Sequence, residues 1–250
     1  MLKEERHQLI LEILNREQKV ISSDLSVRLN VSEDTIRRDL RELDGSGLIR
    51  RVHSGALRVG PPVVDFEQRK DVSQEAKTQL AKAALQLIKN DQVILIDGGT
   101  TNLHLVHQLP PNLKATVITN SPPIAMALQS HSNIEVIMIG GKLYKQSMVN
   151  LGMETVEALN LIRVDLYIMG IYNLHPQIGI SFPNQEEAFV KRKMLSISTE
   201  VVALATADKL GTATTYKVDS VDSLDYLVTE KHVNKEILDD YRQLDISILE

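Results

Sequence analysis

"VSEDTIRRDLRELDGSGLIRRVHSGA", residues 31–56, carries five arginines between positions 37 and 51 in a chain whose net charge is −5. Ser32 suits a helix N-cap, and Glu33 and Asp34 follow in the first turn, where the helix dipole favours acids; Gly45-Ser46-Gly47 ends the run. On a wheel of about 100° per residue with Ile36 at zero, Leu40 falls at about 40° and Leu43 at about 340°, so the three form a buried stripe. Arg37, Arg38 and Arg41 fall at about 100°, 200° and 140°, opposite that stripe.

Working outward, "EERHQLILEILNRE" (4–17) places Leu9, Ile10, Ile13 and Leu14 at helical spacing, and "SSDLSVRLN" (22–30) offers Ser22, Ser23 or Asp24 as the N-cap of a second short helix. Downstream, "LIRRVHSGALRV" (48–59) reads as two short strands around a His53-Ser54-Gly55 turn, which adds Arg50, Arg51 and Arg58 to one hairpin. Two helices, a basic helix and a basic hairpin make the order of a winged helix-turn-helix. A helix fits the major groove of duplex DNA, where guanidinium groups fork onto guanine O6 and N7 or onto phosphates, and a wing reaches the neighbouring backbone. The competing reading pairs these arginines with Asp39, Glu42 and Asp44 on a solvated helix face.

Charge totals do not decide between them. Residues 1–60 hold 11 Lys and Arg against 10 Asp and Glu, so the first sixty are nearly neutral and the excess acid lies beyond them. Position on the helix carries the argument instead. With no cysteine, the chain can hold no disulfide, thiol nucleophile or cysteine-ligated metal. The opening "MLKEERHQ" is too charged for a signal peptide, and apolar runs such as "VILI" (93–96) are too short to span a bilayer. A soluble, cytoplasmic protein with no membrane association is expected.

"LNVSEDTIRRDLRELDGSGLIRRVHSGA" (29–56) closely resembles the N-terminal signature of DeoR-type bacterial transcriptional regulators, in which a T-I-R-R-D-L recognition helix precedes a wing ending in R-x-H-G-G-A. Ser54 stands where a first glycine is common, and Ser26-Val27 replaces a usual Leu-Ala pair. The resemblance implies double-stranded operator DNA as partner. The candidate DNA-binding residues are Ser32, Asp34, Thr35, Arg37, Arg38, Arg41, Arg50, Arg51 and His53. The domain division expected is 1–58 for the winged helix-turn-helix, 59–74 for a proline-containing linker or hinge, and 75–250 for an effector-binding and oligomerisation domain.

From "QVILID" (92–97) to "SLDYLVTE" (223–230), apolar strands alternate with amphipathic helices, which predicts an α/β domain built on a mostly parallel sheet covered on both faces. Ligands in such folds sit at the carboxyl ends of strands. There Asp97-Gly98-Gly99-Thr100-Thr101 leads into a helix; its glycines allow close backbone approach to an anion and its threonines add donors. It lacks a Walker lysine and does not fit G-x-G-x-x-G, so it reads either as a phosphate cradle or as an ordinary glycine turn. Thr119-Asn120, Gly140-Gly141 and Asp208-Lys209 mark three further strand ends. Asp97 could accept hydrogen bonds from sugar hydroxyls and Lys209 could pair with a phosphate.

The DeoR resemblance extends through "ILIDGGTTNLHLVHQLP", "VITNSPPIAMAL", "IMIGGKLYKQSMVNLG", "EEAFVKRKML" and "ADKLG". It implies a sensor domain related in fold to ribose-5-phosphate isomerase that binds phosphosugars or related metabolites, with Asp97, Gly99, Thr100, Thr101, Thr119, Asn120, Gly140, Gly141, Glu187 and Lys209 lining the pocket. Thr206 occupies a place where many members carry an acid. The expected function is a repressor of sugar or related carbon metabolism genes, controlled by a phosphorylated effector, without cofactor or metal, acting as a homo-oligomer (dimer or tetramer). The alternative is an active sugar-phosphate isomerase fused to a DNA-binding domain. It is disfavoured because Asp165 opens its strand and no paired acids stand after it. His104 and His107 lie three apart on one helix with no further ligand at metal spacing, so they read as helix-surface or packing residues.

Overall fold

The computed structural model describes residues 1–17, 19–62 and 64–250. The first domain comprises α1 (Lys3–Glu17), β1 (Lys19–Ile21), α2 (Ser22–Leu29), α3 (Glu33–Gly45), β2 (Ile49–Val52) and β3 (Gly55–Arg58). Ile10 and Leu14 of α1, Leu25 of α2, and Ile36, Leu40 and Leu43 of α3 meet in one core, so the stripe read on the wheel is the buried one. Ser32 caps α3, its Oγ accepting from the Thr35 amide at 3.2 Å.

Two details differ from the sequence reading. The wing sheet has three strands in the order β1-β3-β2, because Lys19–Ile21 pairs antiparallel with β3. That pairing needs Gly55, where a Cβ would lie 1.8 Å from the Val20 carbonyl oxygen. It also corrects the second helix's cap: the chain is extended through Ile21, which becomes the N-cap, and Ser22 is already helical, so neither serine nor Asp24 caps α2.

The larger domain follows α4 (Phe66–Lys70) and runs α5 (Gln74–Leu85), β4 (Val93–Ile96), α6 (Thr100–Val106), β5 (Ala115–Thr119), α7 (Pro122–Ala127), β6 (Ile134–Met138), β7 (Lys142–Tyr144), β8 (Val149–Leu151), α8 (Met153–Asn160), β9 (Val164–Gly170), β10 (Asn173–His175), β11 (Gly179–Phe182), α9 (Gln185–Ser196), β12 (Ser198–Leu204), β13 (Tyr216–Asp219), β14 (Tyr226–Val228), α10 (Lys235–Arg242) and β15 (Ser247–Leu249). Seven strands form one parallel sheet, β15-β14-β12-β9-β4-β5-β6. Side chains alternate across it, as strand geometry requires. Ile94 and Ile96 pack with Leu80 and Ala84 of α5, while Leu95 joins the opposite core with Val190 and Met194 of α9. Both faces are therefore covered. The β7-β8 hairpin and the small β10-β11-β13 sheet were not legible as separate units.

Strand order places the crevice. From β4 the chain moves outward through β5 and β6 on one side, then returns to lay β9, β12, β14 and β15 on the other. The direction reverses between β4 and β9, the kind of point where open α/β sheets bind ligands at their carboxyl edge. Asp165 lies at the other end, its Oδ2 accepting from the Val93 amide at 2.8 Å. The segment expected to be a bare hinge is partly structured: Val63 lies outside the described residues, but α4 buries Phe66 to 1% exposure and the Tyr172 hydroxyl donates to the Pro61 carbonyl at 3.0 Å. Among the described residues, no helix is long and apolar enough to cross a membrane.

Candidate functional site

The first surface is the outer face of α3 with the wing. Arg37, Arg38, Arg41, Arg50, Arg51 and His53 are all exposed there, with Ser32, Asp34 and Thr35 at the amino end of α3. The acids that could have neutralised the arginines are engaged elsewhere. Asp39 turns inward, 2% exposed, and accepts from Arg6 Nε at 2.5 Å and Nη2 at 3.0 Å, with His7 Nε2 at 3.1 Å. Burial acts to raise its pKa, but the bonds from Arg6 and His7 prevail and hold it below the usual carboxylate value. Glu42 pairs with Lys3 at 2.5 Å, and Asp44 accepts from the Arg51 amide at 2.9 Å. Arg37 does pair, with Glu33 at 2.7 Å. The guanidinium groups of Arg38, Arg41, Arg50 and Arg51 have no partner among the described residues. Arg58, the third basic residue of the hairpin, points the other way and donates to the Asp208 carbonyl at 2.7 Å.

The second surface is a cavity of about 330 Å³ at the carboxyl ends of β4, β9 and β12. Gly99, Thr100, Thr101, Glu187 and Lys209 line it, as do Gly98, Thr206 and Tyr172. Gly99 has φ 153°, a conformation that favours glycine, and it turns the chain from β4 into α6. The Thr100 and Thr101 hydroxyls have no partner among the described residues.

The remaining sequence candidates are not brought to this cavity. Asp97 is 1% exposed and lies beneath the glycine turn, where its carboxylate accepts from Asn102 Nδ2 at 2.8 Å, the Gly170 amide at 2.9 Å, the Tyr167 hydroxyl at 2.5 Å, and Lys191 Nζ. With its oxygens so engaged, Asp97 ties β4 to β9 and α9 and has little capacity left for a sugar. Burial, then the Asp97 charge and hydrogen bond, hold the Tyr167 phenol far above its ordinary pKa, so it stays a donor. Asn120 borders the same interior and spends its amide on the Asn150 carbonyl at 2.9 Å. Thr119, the last residue of β5, accepts from the Ser121 amide at 3.0 Å, and the Gly140 carbonyl accepts from Thr155 at 2.7 Å; Gly140 and Gly141 follow β6, and all three lie away from the reversal point. Two acids line the cavity: exposed Asp208, and Glu187, 6% exposed, whose carboxyl burial pushes up and whose Oε2 accepts from Ser147 at 3.1 Å.

Three cations at the cavity were not among its sequence candidates, Arg58 having been read as a wing residue. Arg58 of β3, Arg69 of α4 and Lys77 of α5 join Lys209 around the cavity. None of the four has a carboxylate ion-pair partner among the described residues. The buried Nε atoms of Arg58 and Arg69 have no hydrogen-bond partner there. Lys77 donates to the Arg69 carbonyl. Burial, with repulsion from Arg69, lowers Lys77 to about 8; burial likewise lowers half-buried Lys209 to about 8, Arg69 and Lys77 adding to the effect. Asp208 opposes that lowering at both lysines, but four cations against the Asp208 and Glu187 carboxylates leave an excess of positive charge, the electrostatics of an anion site. The only local signal for Arg69 was the basic "FEQRK" (66–70) inside a proline-containing connection.

Residues 6–60 match the family model described as a DeoR-like helix-turn-helix domain, and residues 72–231 match that of the DeoR C terminal sensor domain. The chain is similar to the HTH-type transcriptional repressor GlcR of Bacillus subtilis, 31% identical over 96% of this chain and 93% of the relative. It is also similar to the glycerol-3-phosphate regulon repressor of Escherichia coli, 27% identical over 92% of each chain. Among solved structures, a ribose 5-phosphate isomerase of Methanocaldococcus jannaschii aligns over 56% of this chain and 55% of that one, at 17% identity and a TM-score of 0.41.

Proposed function

The chain belongs to the DeoR family of HTH-type transcriptional regulators, and we propose that it is a repressor whose hold on operator DNA is released by a phosphorylated sugar or related metabolite bound at the β4–β9 crevice. The observation that carries the effector reading is the convergence of Arg58, Arg69, Lys77 and Lys209, without carboxylate partners, on one cavity of about 330 Å³. A cavity of that size suits a small ligand. In this reading the cations take the phosphoryl group, the Thr100 and Thr101 hydroxyls bind beside it, and Glu187 accepts from sugar hydroxyls. The protein acts in the cytoplasm as a homo-oligomer, dimer or tetramer, because helix-turn-helix readers engage paired half-sites.

A panel of glucose 6-phosphate, fructose 1-phosphate, fructose 6-phosphate, ribose 5-phosphate and glycerol 3-phosphate tests the site by thermal melting. A compound at about 100 times its dissociation constant stabilises the sensor by about 2.7 kcal/mol, a rise of about 5 to 10 °C at this size. Thr100→Val and Lys209→Ala are each expected to remove the shift at that concentration. The reading fails if no panel member moves the parent. The pH dependence follows from the two lysines held at about 8. An anion favours their charged forms, so affinity is greatest near pH 7, where a phosphomonoester is also largely dianionic, and falls above pH 8. The expected loss is about tenfold per pH unit for each lysine that must take up a proton. Calorimetry at pH 7, 8 and 9 measures it, and a flat profile counts against both lysines as ligands. Binding without turnover is expected; isomerisation of any panel sugar would overturn that.

On the DNA side, Arg38→Ala is expected to cost about 1 to 3 kcal/mol of operator binding if the side chain reads a base edge. Its circular dichroism should match the parent's, because Arg38 is exposed and lacks an intramolecular partner among the described residues. Loss of Arg50 or Arg51 should weaken all duplexes alike and reduce the slope of log K against log salt by about one. An unchanged slope would remove those residues from the phosphate contacts.

A further inference from the structure

The cavity wall is not made by the sensor alone. Arg58 is the last residue of β3, the central strand of the wing sheet, and it enters the cavity lining while donating to the Asp208 carbonyl at 2.7 Å. Immediately after it, Gly60 packs so closely on the sensor that a Cβ would lie 2.0 Å from Asn173 Nδ2. The Pro61 carbonyl is then held by Tyr172, a cavity residue that follows β9. Arg69 of α4 also lines the cavity, donating to the Gln146 carbonyl at 3.1 Å. Both arginines keep a buried Nε without a hydrogen-bond partner among the described residues, a costly arrangement in the absence of an acceptor.

We propose that the anionic group of the effector is gripped jointly by the sensor's Lys77 and Lys209 and by Arg58 of the wing strand with Arg69 of α4, so that the bound ligand itself sets the position of the DNA-reading domain. This rests on the reading of the cavity as an effector site and adds how occupancy reaches the DNA. An anion in the cavity gives the Arg58 Nε, partnerless among the described residues, an acceptor and so pulls on a guanidinium that otherwise meets the Asp208 carbonyl through Nη2. Because β3 is paired on both sides, with β1 and β2, a shift of Arg58 moves the wing as a unit. The short path through Gly60 and Pro61 leaves little slack to absorb it. A ligand shifts a conformational equilibrium only through contacts that differ between the two states, and Arg58 and Arg69 supply such contacts outside the sensor sheet. Sensor-side and wing-side cations thus have separable roles. Lys209 sets affinity, and Arg58 and Arg69 convert binding into a change at the operator.

The test uses the full chain and an operator selected by it from a random duplex pool. Operator affinity is measured by fluorescence anisotropy without ligand and with a saturating amount of whichever panel compound gives the parent its largest melting shift. In the parent, that compound is expected to weaken operator binding about 5- to 150-fold, the range of typical allosteric couplings. Lys209→Gln should need more compound to saturate and then reach the parent's ratio. Arg58→Gln should still show a melting shift at saturation, while its operator ratio collapses to within about twofold of one. Should Arg58→Gln fail to bind operator at all, Arg69→Gln carries the same expectation, because α4 lies outside the reader's core. A parental ratio in these wing-side variants overturns the joint grip and leaves the pocket reading standing. Absence of a melting shift in the parent with every panel compound overturns the pocket reading and this proposal together.

Discussion

Asp39→Ala is expected to unfold the DNA-reading domain while leaving the sensor folded. The Asp39 carboxylate is buried against α1, held by Arg6 and His7, and its removal leaves the Arg6 guanidinium buried at 9% exposure without its counter-charge. Breaking one side of such a pair costs about 3 to 5 kcal/mol. For residues 1–58 the whole stability is about 3 to 9 kcal/mol at the usual value per residue. The loss is therefore comparable to the total. Limited proteolysis should cut the reader first, and operator binding should disappear, in contrast to Arg38→Ala, which weakens binding without changing the fold. The pH sign follows from the lowered Asp39 pKa. Its stabilisation is complete above pH about 4, the unfolded value, and is lost as pH falls through the lower folded value. A reader in Asp39→Ala as resistant to protease as the parent's would show that the Arg6 clamp carries little stability.

Asp97→Ala should have the second largest effect, on the sensor. Lys191 is 3% exposed, and Asp97 provides its counter-charge, the Gly170 carbonyl accepting a further bond at 3.0 Å. Removing Asp97 leaves an uncompensated buried ammonium and releases the Tyr167 hydroxyl, the Asn102 amide and the Gly170 backbone from one anchor. The expected loss is about 3 to 5 kcal/mol, a fall in melting temperature of about 6 to 20 °C. Adding Lys191→Met should recover part of it, because the stranded charge is then gone. No recovery in the double variant would mean that the cost comes from the hydrogen bonds to β9 and α6, and a single variant melting with the parent would remove the clamp altogether.

These two aspartates show where the sequence was readable. Asp39 falls at about 300° on the α3 wheel, on the flank of the stripe formed by Ile36, Leu40 and Leu43, so its burial had a local signal. Its partner Arg6 had none, being 33 positions away on another helix. Asp97 stood where a ligand-binding acid is expected, at the end of β4, and nothing local distinguishes a carboxylate aimed at a ligand from one aimed at Lys191, 94 positions on. The helix pattern alone left a solvated arginine face and a DNA-facing one both open, and the DeoR resemblance favoured the second; the structure adds that Asp39, Glu42 and Asp44 have other partners.

Neighbouring residues encode the amphipathic period of α1 and α3, the Ser32 cap, the paired strands of the wing, and apolar strands that must be covered on both faces. Periodicity and capping are decided within a few residues, so they survive without knowledge of the fold. The reversal of the sheet between β4 and β9 emerged with the packed fold; it keeps Gly99, Thr100, Thr101, Glu187 and Lys209 at the cavity and leaves Thr119, Gly140 and Gly141 outside it. The packed fold alone brought Arg58, Arg69, Lys77 and Lys209 together from a wing strand, a linker helix, a sensor helix and a strand end. Strand order and the convergence of distant charges depend on long-range packing, which leaves no periodic mark in the sequence.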